Sequence, residues 1–259
     1  MQTAIVTGGG GSLGAGISKC LKADGWRVIV ASRGAAAAET AKALGAPAEA
    51  YTVDVSDRIA VGKMIDGVVA RFGALEGLVN CAGGTSGSGL PNVPFMQTDP
   101  ACRERLMGAN LYGVMNCCHA ALPHMMRAKR GAIVNVSSGG GIAGGPAVTA
   151  RRRGAAVYSA IKHGVIVFTQ SLALEAGPHG IRVNSIAPGR AVSTSHDLKY
   201  LLAKQKEEEA LQPGSSRQSP LGRMLQPEDV GEAAAFLLSE RACHITGCLY
   251  DLTGGLRLY

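Results

Sequence analysis

Short apolar runs alternate with longer stretches of helical spacing along most of this chain. Seven of these runs are predicted to be strands, and several of them are apolar almost throughout, which is expected of strands that are covered on both faces. They lie at Ala4–Thr7, Arg27–Ala31, Ala50–Val55, Gly77–Cys81, Ala132–Val136, Arg182–Ala187 and Cys248–Leu252. Helices are predicted near 13–24, 36–44, 57–72, 100–128, 155–176 and 228–239. The alternation predicts an α/β protein with a doubly wound, seven-stranded parallel sheet flanked by helices.

No internal repeat, low-complexity linker or run of charge divides the 259 residues. Chains of this length often form one α/β domain, so we expect a single domain over 1–259. Two segments do not follow the alternation. The glycine-rich stretch 139–154 is predicted as a loop, and in 190–226 only about 198–211 has helical spacing. We expect 190–226 to be the substrate loop region.

Composition and charge exclude several classes of protein. The formal net charge is +7, but the charges are scattered except at 127–130 and 151–153, and aromatic residues make up only 4%. We therefore expect no nucleic-acid partner, and a polyanionic cofactor explains the sign of the charge as well. The six histidines lack metal-ligand spacing, so no metal is expected.

The expected location is the cytoplasm. Seven cysteines, an odd number with no CxxC pair, indicate free thiols in a reducing compartment. No signal segment opens the chain, and no apolar run approaches the roughly 18 residues of a membrane span, so no membrane partner is expected.

A glycine-rich turn, Thr7-Gly8-Gly9-Gly10-Gly11-Ser12-Leu13-Gly14, joins the first strand to the first helix. Such a turn lets backbone N–H groups approach a pyrophosphate at a helix N-terminus, where the helix dipole favours negative charge. Gly9, Gly11 and Gly14 also satisfy GxGxxG, and this position between strand and helix gives the spacing its weight. The prediction is a Rossmann-type dinucleotide site; a tight turn without a ligand is the alternative.

The end of the second strand favours NADP(H) over NAD(H). NAD sites usually place a carboxylate here, which binds the ribose 2′-hydroxyl. This chain has Ser32 followed by Arg33, and a guanidinium pairs with a 2′-phosphate. Alternatively, Arg33 is a solvated arginine at a strand end, and the site also accepts NAD.

Tyr158 and Lys162 lie four residues apart in a predicted helix and therefore share one face. A phenol, with an ordinary pKa of about 10, is a poor base at neutral pH, and a nearby cation lowers that pKa. The pair alone is common by chance, but here it follows the fifth strand of a chain with a dinucleotide turn.

With these motifs in order, the chain resembles a short-chain dehydrogenase/reductase over essentially its whole length, and in particular the 3-oxoacyl-ACP reductase-like members. The matching motifs are Thr7–Gly14, Asp54, Asn80-Cys81-Ala82-Gly83, Asn110, Val134-Asn135-Val136-Ser137-Ser138, Tyr158 with Lys162, Asn184 with Pro188-Gly189, and Pro220-Leu221-Gly222-Arg223 with Pro227-Glu228-Asp229-Val230. The resemblance implies a homotetramer and a small carbonyl or alcohol substrate.

The resemblance also implies roles by position. Tyr158 would exchange the hydroxyl proton, Lys162 would hold the nicotinamide ribose, Ser138 would bind the substrate oxygen, and Asn110, in a helix bend, would support a water relay. Ser137 is the rival of Ser138 for the hydroxyl role. The implied cofactor contacts are Gly8, Gly10, Gly11, Ser12, Leu13, Gly14, Ser32, Arg33, Asp54, Val55, Asn80, Ala82, Gly83, Tyr158, Lys162, Pro188 and Gly189.

The chain departs from the family pattern in three places. Ser12 stands where the middle glycine of the turn usually lies, Cys81 replaces a second asparagine, and Gly144–Ala155 looks inserted. The inserted segment carries Arg151-Arg152-Arg153. It is either a solvated basic loop or a site for an anionic group of the substrate.

Three functions remain open at this point. The leading one is an NADP(H)-dependent alcohol dehydrogenase or carbonyl reductase that interconverts a ketone and a secondary alcohol. The second is a 3-oxoacyl-thioester reductase acting on a carrier or coenzyme A thioester. The third, from a different class, is a non-catalytic nucleotide-binding sensor.

Overall fold

Seven parallel strands form one sheet with the order β3-β2-β1-β4-β5-β6-β7. The structure is a computed structural model that describes residues 1–84, 95–142, 155–189, 220–221 and 223–255. The strands are β1 (Thr3–Thr7), β2 (Arg27–Ser32), β3 (Glu49–Thr52), β4 (Gly77–Asn80), β5 (Gly131–Val136), β6 (Ile181–Pro188) and β7 (Leu249–Leu252). The predicted Rossmann-type α/β fold is confirmed.

Helices cover both faces of this sheet. They are α1 (Ser12–Ala23), α2 (Ala36–Leu44), α3 (Arg58–Phe72), α4 (Pro100–Met107), α5 (Gly113–Ala128), α6 (Gly139–Ile142), α7 (Ala155–Ala176) and α8 (Pro227–Leu238). On one face α3, α5 and α7 pack around Ile5, Ile29 and Ile133. On the other face α1, α2 and α8 pack around Val6, Val28 and Val134.

Three predicted elements differ from the structure. Strand β3 ends at Thr52 rather than Val55, because Asp54 accepts hydrogen bonds from the backbone of Ser56 and Asp57 and turns the chain away from the sheet. The helix expected over 100–128 is interrupted by a π-helical turn at Gly108–Tyr112. The predicted loop 139–154 begins with the helical turn α6, and its remainder lies outside the described residues, as does the helix expected near 198–211.

Helices α1 and α8 cross with their backbones close together. A Cβ added at Gly16 would lie 2.6 Å from Pro227, and one added at Gly231 would lie 2.7 Å from the carbonyl oxygen of Gly16. Only glycine fits at these two positions. The first helix of the chain is therefore held by the last one.

Candidate active site

The predicted functional residues gather at the carboxyl edge of the sheet. Strand β1 pairs with β2 on one side and with β4 on the other, so the connections that leave these strands diverge at this point. In open parallel sheets a ligand crevice forms at such a divergence. The glycine turn after β1 lies there, between the chain segments that follow β2 and β4.

The glycine turn is packed too closely for side chains. Gly8 has a φ of 67°, and a Cβ there would lie 2.7 Å from Cα of Ala82. A Cβ at Gly9 would lie 2.7 Å from Cγ1 of Val30. Gly11 caps α1 and offers no side chain to its first N–H groups, and the first turn of α1 contains no acidic residue. These features fit a pyrophosphate group, which backbone N–H groups would hold.

The residues after β4 are anchored to β1 and β5. The hydroxyl of Thr7 accepts hydrogen bonds from the backbone N–H groups of Cys81 and Ala82, both at 3.2 Å. The side chain of Asn80 donates to Oδ1 of Asn135 at 2.8 Å, while its own Oδ1 is buried and finds no hydrogen-bond partner among the described residues. The segment is thus fixed beside the glycine turn before any ligand binds.

Ser32 and Arg33 lie at the end of β2, beside Gly10 of the turn. A Cβ at Gly10 would lie 2.7 Å from Oγ of Ser32, which is buried and has no hydrogen-bond partner in the part of the chain that the structure describes. The guanidinium of Arg33 is largely exposed and lies 3.9 Å from the carboxylate of Asp54. Burial raises the pKa of Asp54, but hydrogen bonds from Ser56 and the charge of Arg33 outweigh it and leave that pKa below its ordinary value. The carboxylate next to Arg33 is therefore ionised at neutral pH.

Tyr158 and Lys162 meet on one face of α7, next to the end of β5. Nζ of Lys162 lies 5.8 Å from the centroid of the Tyr158 ring and donates to the carbonyl oxygen of Val136 at 3.0 Å. The lysine is 4% exposed. Burial lowers the pKa of Lys162 to about 8, and the neighbouring thiol of Cys81 is neutral because burial raises its pKa to about 11. Among the described residues, no carboxylate forms an ion pair with this amine.

The two serines after β5 have different environments. Ser137 is buried, and its hydroxyl donates to the backbone carbonyl of Lys162 at 2.8 Å. Ser138 is partly exposed, and its Oγ accepts from the N–H of Gly140 at 3.2 Å. This bond leaves the Ser138 hydroxyl proton available for a ligand. The environments support the expectation that Ser138, rather than Ser137, faces the crevice.

Asn110 lies in the π-helical turn and ties it to the segment after β4. Its Nδ2 donates to the carbonyls of Leu106 and Gly84, both at 3.1 Å, and its Oδ1 accepts from the N–H of Gly84 at 2.7 Å. The asparagine is fully buried. Gly83 has a φ of 134° and contacts the same side chain. Asn110 thus lies where the π-helical turn interrupts the long helix, and its amide holds the Gly83–Gly84 turn.

Known proteins resemble this chain over nearly its whole length. Residues 9–257 match a protein family described as "Enoyl-(Acyl carrier protein) reductase". One relative is the 3-oxoacyl-[acyl-carrier-protein] reductase FabG of Staphylococcus aureus. It is 36% identical over 260 aligned residues, and the alignment covers 98% of each chain. The chain belongs to the short-chain dehydrogenase/reductase family. It is therefore an oxidoreductase of that family.

Two further relatives of this short-chain dehydrogenase/reductase broaden the comparison. The cis-4-hydroxycyclohexanecarboxylate dehydrogenase of Sinomonas cyclohexanicum is 35% identical over 257 residues, covering 98% of this chain and 96% of the relative. The crystal structure of gox2181 superposes with a TM-score of 0.86 at 29% identity, covering 100% of this chain and 96% of the other. The strands and helices of the described residues therefore share the fold of a solved structure.

The remaining predicted contacts lie around the same crevice. Val55 is buried and packs against Gly113, and Leu13 packs against the core from the first turn of α1. The backbone of Gly189, after Pro188, donates to the carbonyl oxygen of Leu252 at 3.1 Å. The arginines at 151–153 and the segment 190–219 lie outside the described residues.

Thr253, which directly follows β7, is a residue of this crevice that was not predicted from the sequence. It is 4% exposed and packs against both Gly139 and Gly189. Its place directly after a predicted parallel strand was the available signal, because the carboxyl ends of all such strands share one edge.

The sequence predicts neither a metal site nor a membrane span, and the structure can be compared with both predictions only in the described residues. Nowhere in the described ranges do three His, Cys, Asp or Glu side chains gather closely enough to hold a metal ion. None of the helices in those ranges has the length and apolarity needed to cross a membrane.

Proposed function

We propose that this short-chain dehydrogenase/reductase interconverts a ketone and a secondary alcohol with NADP(H), and that Tyr158 exchanges the proton. The observation that carries the proposal is the buried amine of Lys162, 5.8 Å from the Tyr158 ring. A buried cation beside a phenol favours the phenolate and so makes the tyrosine a usable acid and base.

The reaction divides between cofactor and protein. The cofactor supplies a hydride to the carbonyl carbon in reduction. Tyr158 donates its hydroxyl proton to the carbonyl oxygen, so that ketone, hydride and proton give the alcohol. Ser138 donates a second hydrogen bond to the same oxygen, which stabilises the negative charge that develops there.

Lys162 remains largely protonated at pH 7, since its pKa is about 8. It would hold the nicotinamide ribose, and it would stabilise the phenolate that forms when Tyr158 gives up its proton. Asn110 would support reprotonation through a water relay indirectly, because its amide fixes the π-helical turn and the Gly84 backbone.

The cofactor contacts follow the crevice from one end to the other. The glycine turn from Gly8 to Gly14 would hold the pyrophosphate, Asp54 and Val55 the adenine, and Asn80 to Gly83 its ribose. Arg33 would pair with the 2′-phosphate beside Ser32, and Pro188 with Gly189 would flank the nicotinamide. The guanidinium of Arg33 supports the choice of NADP(H), because it is exposed and lies as far as 3.9 Å from the carboxylate of Asp54.

The proposal covers assembly as well. All of 1–259 would act as one catalytic domain, and copies would associate into a tetramer. The outer face of α7 supports association, because Val167 is 49% and Leu174 82% exposed there. Light scattering that shows a stable monomer at micromolar concentration would contradict it.

A second candidate is reduction of a 3-oxoacyl thioester. The full-length relative named a 3-oxoacyl-acyl-carrier-protein reductase favours it. The relative named for cis-4-hydroxycyclohexanecarboxylate favours instead a cyclic substrate with a carboxylate.

A panel of ketones separates these functions. NADPH oxidation is followed at 340 nm with a 3-oxoacyl thioester, a cyclic oxo-carboxylate and a neutral ketone of similar size. The highest kcat/KM names the substrate class, and the same panel with NADH tests the cofactor. Tight NADPH binding without turnover on any ketone would instead indicate a non-catalytic nucleotide sensor.

A further inference from the structure

Thr253 lies where the segments after β5, β6 and β7 meet. It is 4% exposed, directly follows β7, and its N–H donates to Oδ1 of Asp251 at 2.8 Å. The segment after β5 carries Ser138, and the segment after β6 carries Pro188 and Gly189. The residue therefore borders both the segment that carries Ser138 and the segment that carries Pro188 and Gly189.

The side chain of Thr253 is packed against the Ser138 turn. A Cβ added at Gly139 would lie 2.8 Å from Cγ2 of Thr253, so the methyl group fills the space that a side chain at Gly139 would need. The next nearest atom, the carbonyl oxygen of Pro188, would be at 3.3 Å. Of these two atoms, the threonine methyl lies nearer to the side-chain position of the residue that follows Ser138.

The backbone of the same residue is packed against the segment after β6. A Cβ at Gly189 would lie 3.0 Å from Cα of Thr253. Backbone atoms make this contact, so changes in the Thr253 side chain leave it in place. The side chain therefore acts on the Ser138 turn, whereas the backbone acts on Gly189.

The hydroxyl of Thr253 makes no comparable contribution. Its Oγ1 is buried and, within the described part of the chain, has no hydrogen-bond partner. A buried hydroxyl without a partner is unfavourable and contributes no bond that could fix the turn. What the side chain provides is shape, in particular the methyl group next to Gly139.

We propose that Thr253 is a positioning residue that holds the Ser138 hydroxyl in place through packing of its methyl group on Gly139. The inference rests on the proposed function, because it requires Ser138 to bind the substrate oxygen. A group displaced by about 1 Å from its productive position costs on the order of 100-fold in rate. Loss of one supporting methyl group allows a smaller displacement, so we expect a loss of roughly fivefold to twentyfold in kcat.

A substitution series separates the methyl from the hydroxyl. Thr253→Val keeps the shape and removes the hydroxyl, whereas Thr253→Ser keeps the hydroxyl and removes the methyl. We expect kcat of Thr253→Val to stay within about twofold of wild type and kcat of Thr253→Ser to fall roughly fivefold to twentyfold, with NADPH affinity unchanged in fluorescence titration. The matched control is Thr3→Ser. Thr3 is also buried, but it begins β1 and so lies at the amino end of the strands, away from the proposed site. The reverse order, with the valine variant impaired and the serine variant normal, overturns the proposal.

A double-mutant cycle shows whether Thr253 acts through Ser138. In a Ser138→Ala background, Thr253→Ser should lower kcat no further, because the hydroxyl that it positions is gone. An equal loss in both backgrounds overturns the inference and leaves the proposed function intact. Full turnover in Ser138→Ala would instead reject the role of Ser138, and with it both proposals.

A stability measurement tests the contact independently of turnover. Gly139→Ala should lower Tm because its new Cβ collides with the methyl group of Thr253, and adding Thr253→Ser should recover most of the loss. If Gly139→Ala melts at the wild-type temperature, or if the serine gives no recovery, the packing contact is not what holds the turn.

Discussion

Replacing Lys162 with methionine should change how the stability of the cofactor-free protein responds to pH. Methionine has a similar length but cannot be charged or donate to the carbonyl oxygen of Val136. Burial lowers the pKa of Lys162 from 10.5 to about 8, and each pKa unit corresponds to about 1.4 kcal/mol. Between these two pKa values the unfolded chain binds more protons than the folded one, so the free energy of unfolding rises with pH.

The magnitude follows from the same two values. At pH 7 the buried charge costs about 3 kcal/mol, and by pH 9.5 the cost falls to about 1 kcal/mol because most folded molecules then carry a neutral amine. Subtracting the stability of the wild type from that of Lys162→Met cancels the titration of other groups. The advantage of the methionine variant should therefore shrink by about 2 kcal/mol between pH 7 and pH 9.5.

Urea unfolding at matched protein concentration, from pH 7 to pH 9.5 in half-unit steps, measures this difference. The control is Lys129→Met. Lys129 is exposed at the C-terminal end of α5, where its backbone is left-handed, and the stability difference between this variant and the wild type should stay the same over the pH range. A difference between wild type and Lys162→Met that stays constant across this range, or grows with pH, would refute the argument that the amine is buried without a counter-charge.

Three further outcomes are expected. Tyr158→Phe should lower turnover by about 100- to 10,000-fold, because only the proton-transfer group is lost, while NADPH titration stays within twofold; activity within tenfold of wild type would contradict the mechanism. Ser32→Asp combined with Arg33→Ser should shift the ratio of kcat/KM values toward NADH by roughly tenfold or more, since a charge-assisted bond is worth about 1.5–3 kcal/mol; a wild type that uses both cofactors equally would rule out this assignment. Gly83→Ala should lower the free energy of unfolding by at least about 2 kcal/mol, because φ at this position is 134° and the new methyl group would collide with the side chain of Asn110. The control is Gly67→Ala, inside α3 with open space around it, which should leave the free energy of unfolding unchanged or raise it.

The sheet was predictable because its strands carry an unambiguous signal. β5, with the sequence Gly131–Val136, is buried at every position, so an apolar run bounded by polar residues marks it clearly. The edge strand β3 was predicted too long, since nothing in Val53 or Val55 distinguishes a strand residue from a buried residue in the turn that follows. There the hydrogen bonds to Asp54 decide where the strand ends.

The residues of the site were predictable by type and place, but their environments were not. Tyr158 and Lys162 share a helix face by spacing alone, whereas the burial of Lys162 depends on how α7 packs against β5. The π-helical turn at Asn110 adds one residue to a helical repeat, a change too small to be read from five residues of sequence. Thr253 resembled an ordinary turn residue, since only the fold brings it beside Gly139.

The crossing of α1 and α8 has a consequence for the order of events during synthesis. Gly16, a few residues beyond the glycine turn, packs on Pro227, which follows it by 211 residues in the sequence. A ribosome adds about 5–20 residues per second, so α1 is synthesised long before α8, and the delay is much longer than a helix needs to form. Until α8 is synthesised, the nascent chain therefore holds a nucleotide turn that lacks its packing partner. We expect chains that end before α8 to depend on chaperones, and the nucleotide to stabilise the protein only after α8 has been translated.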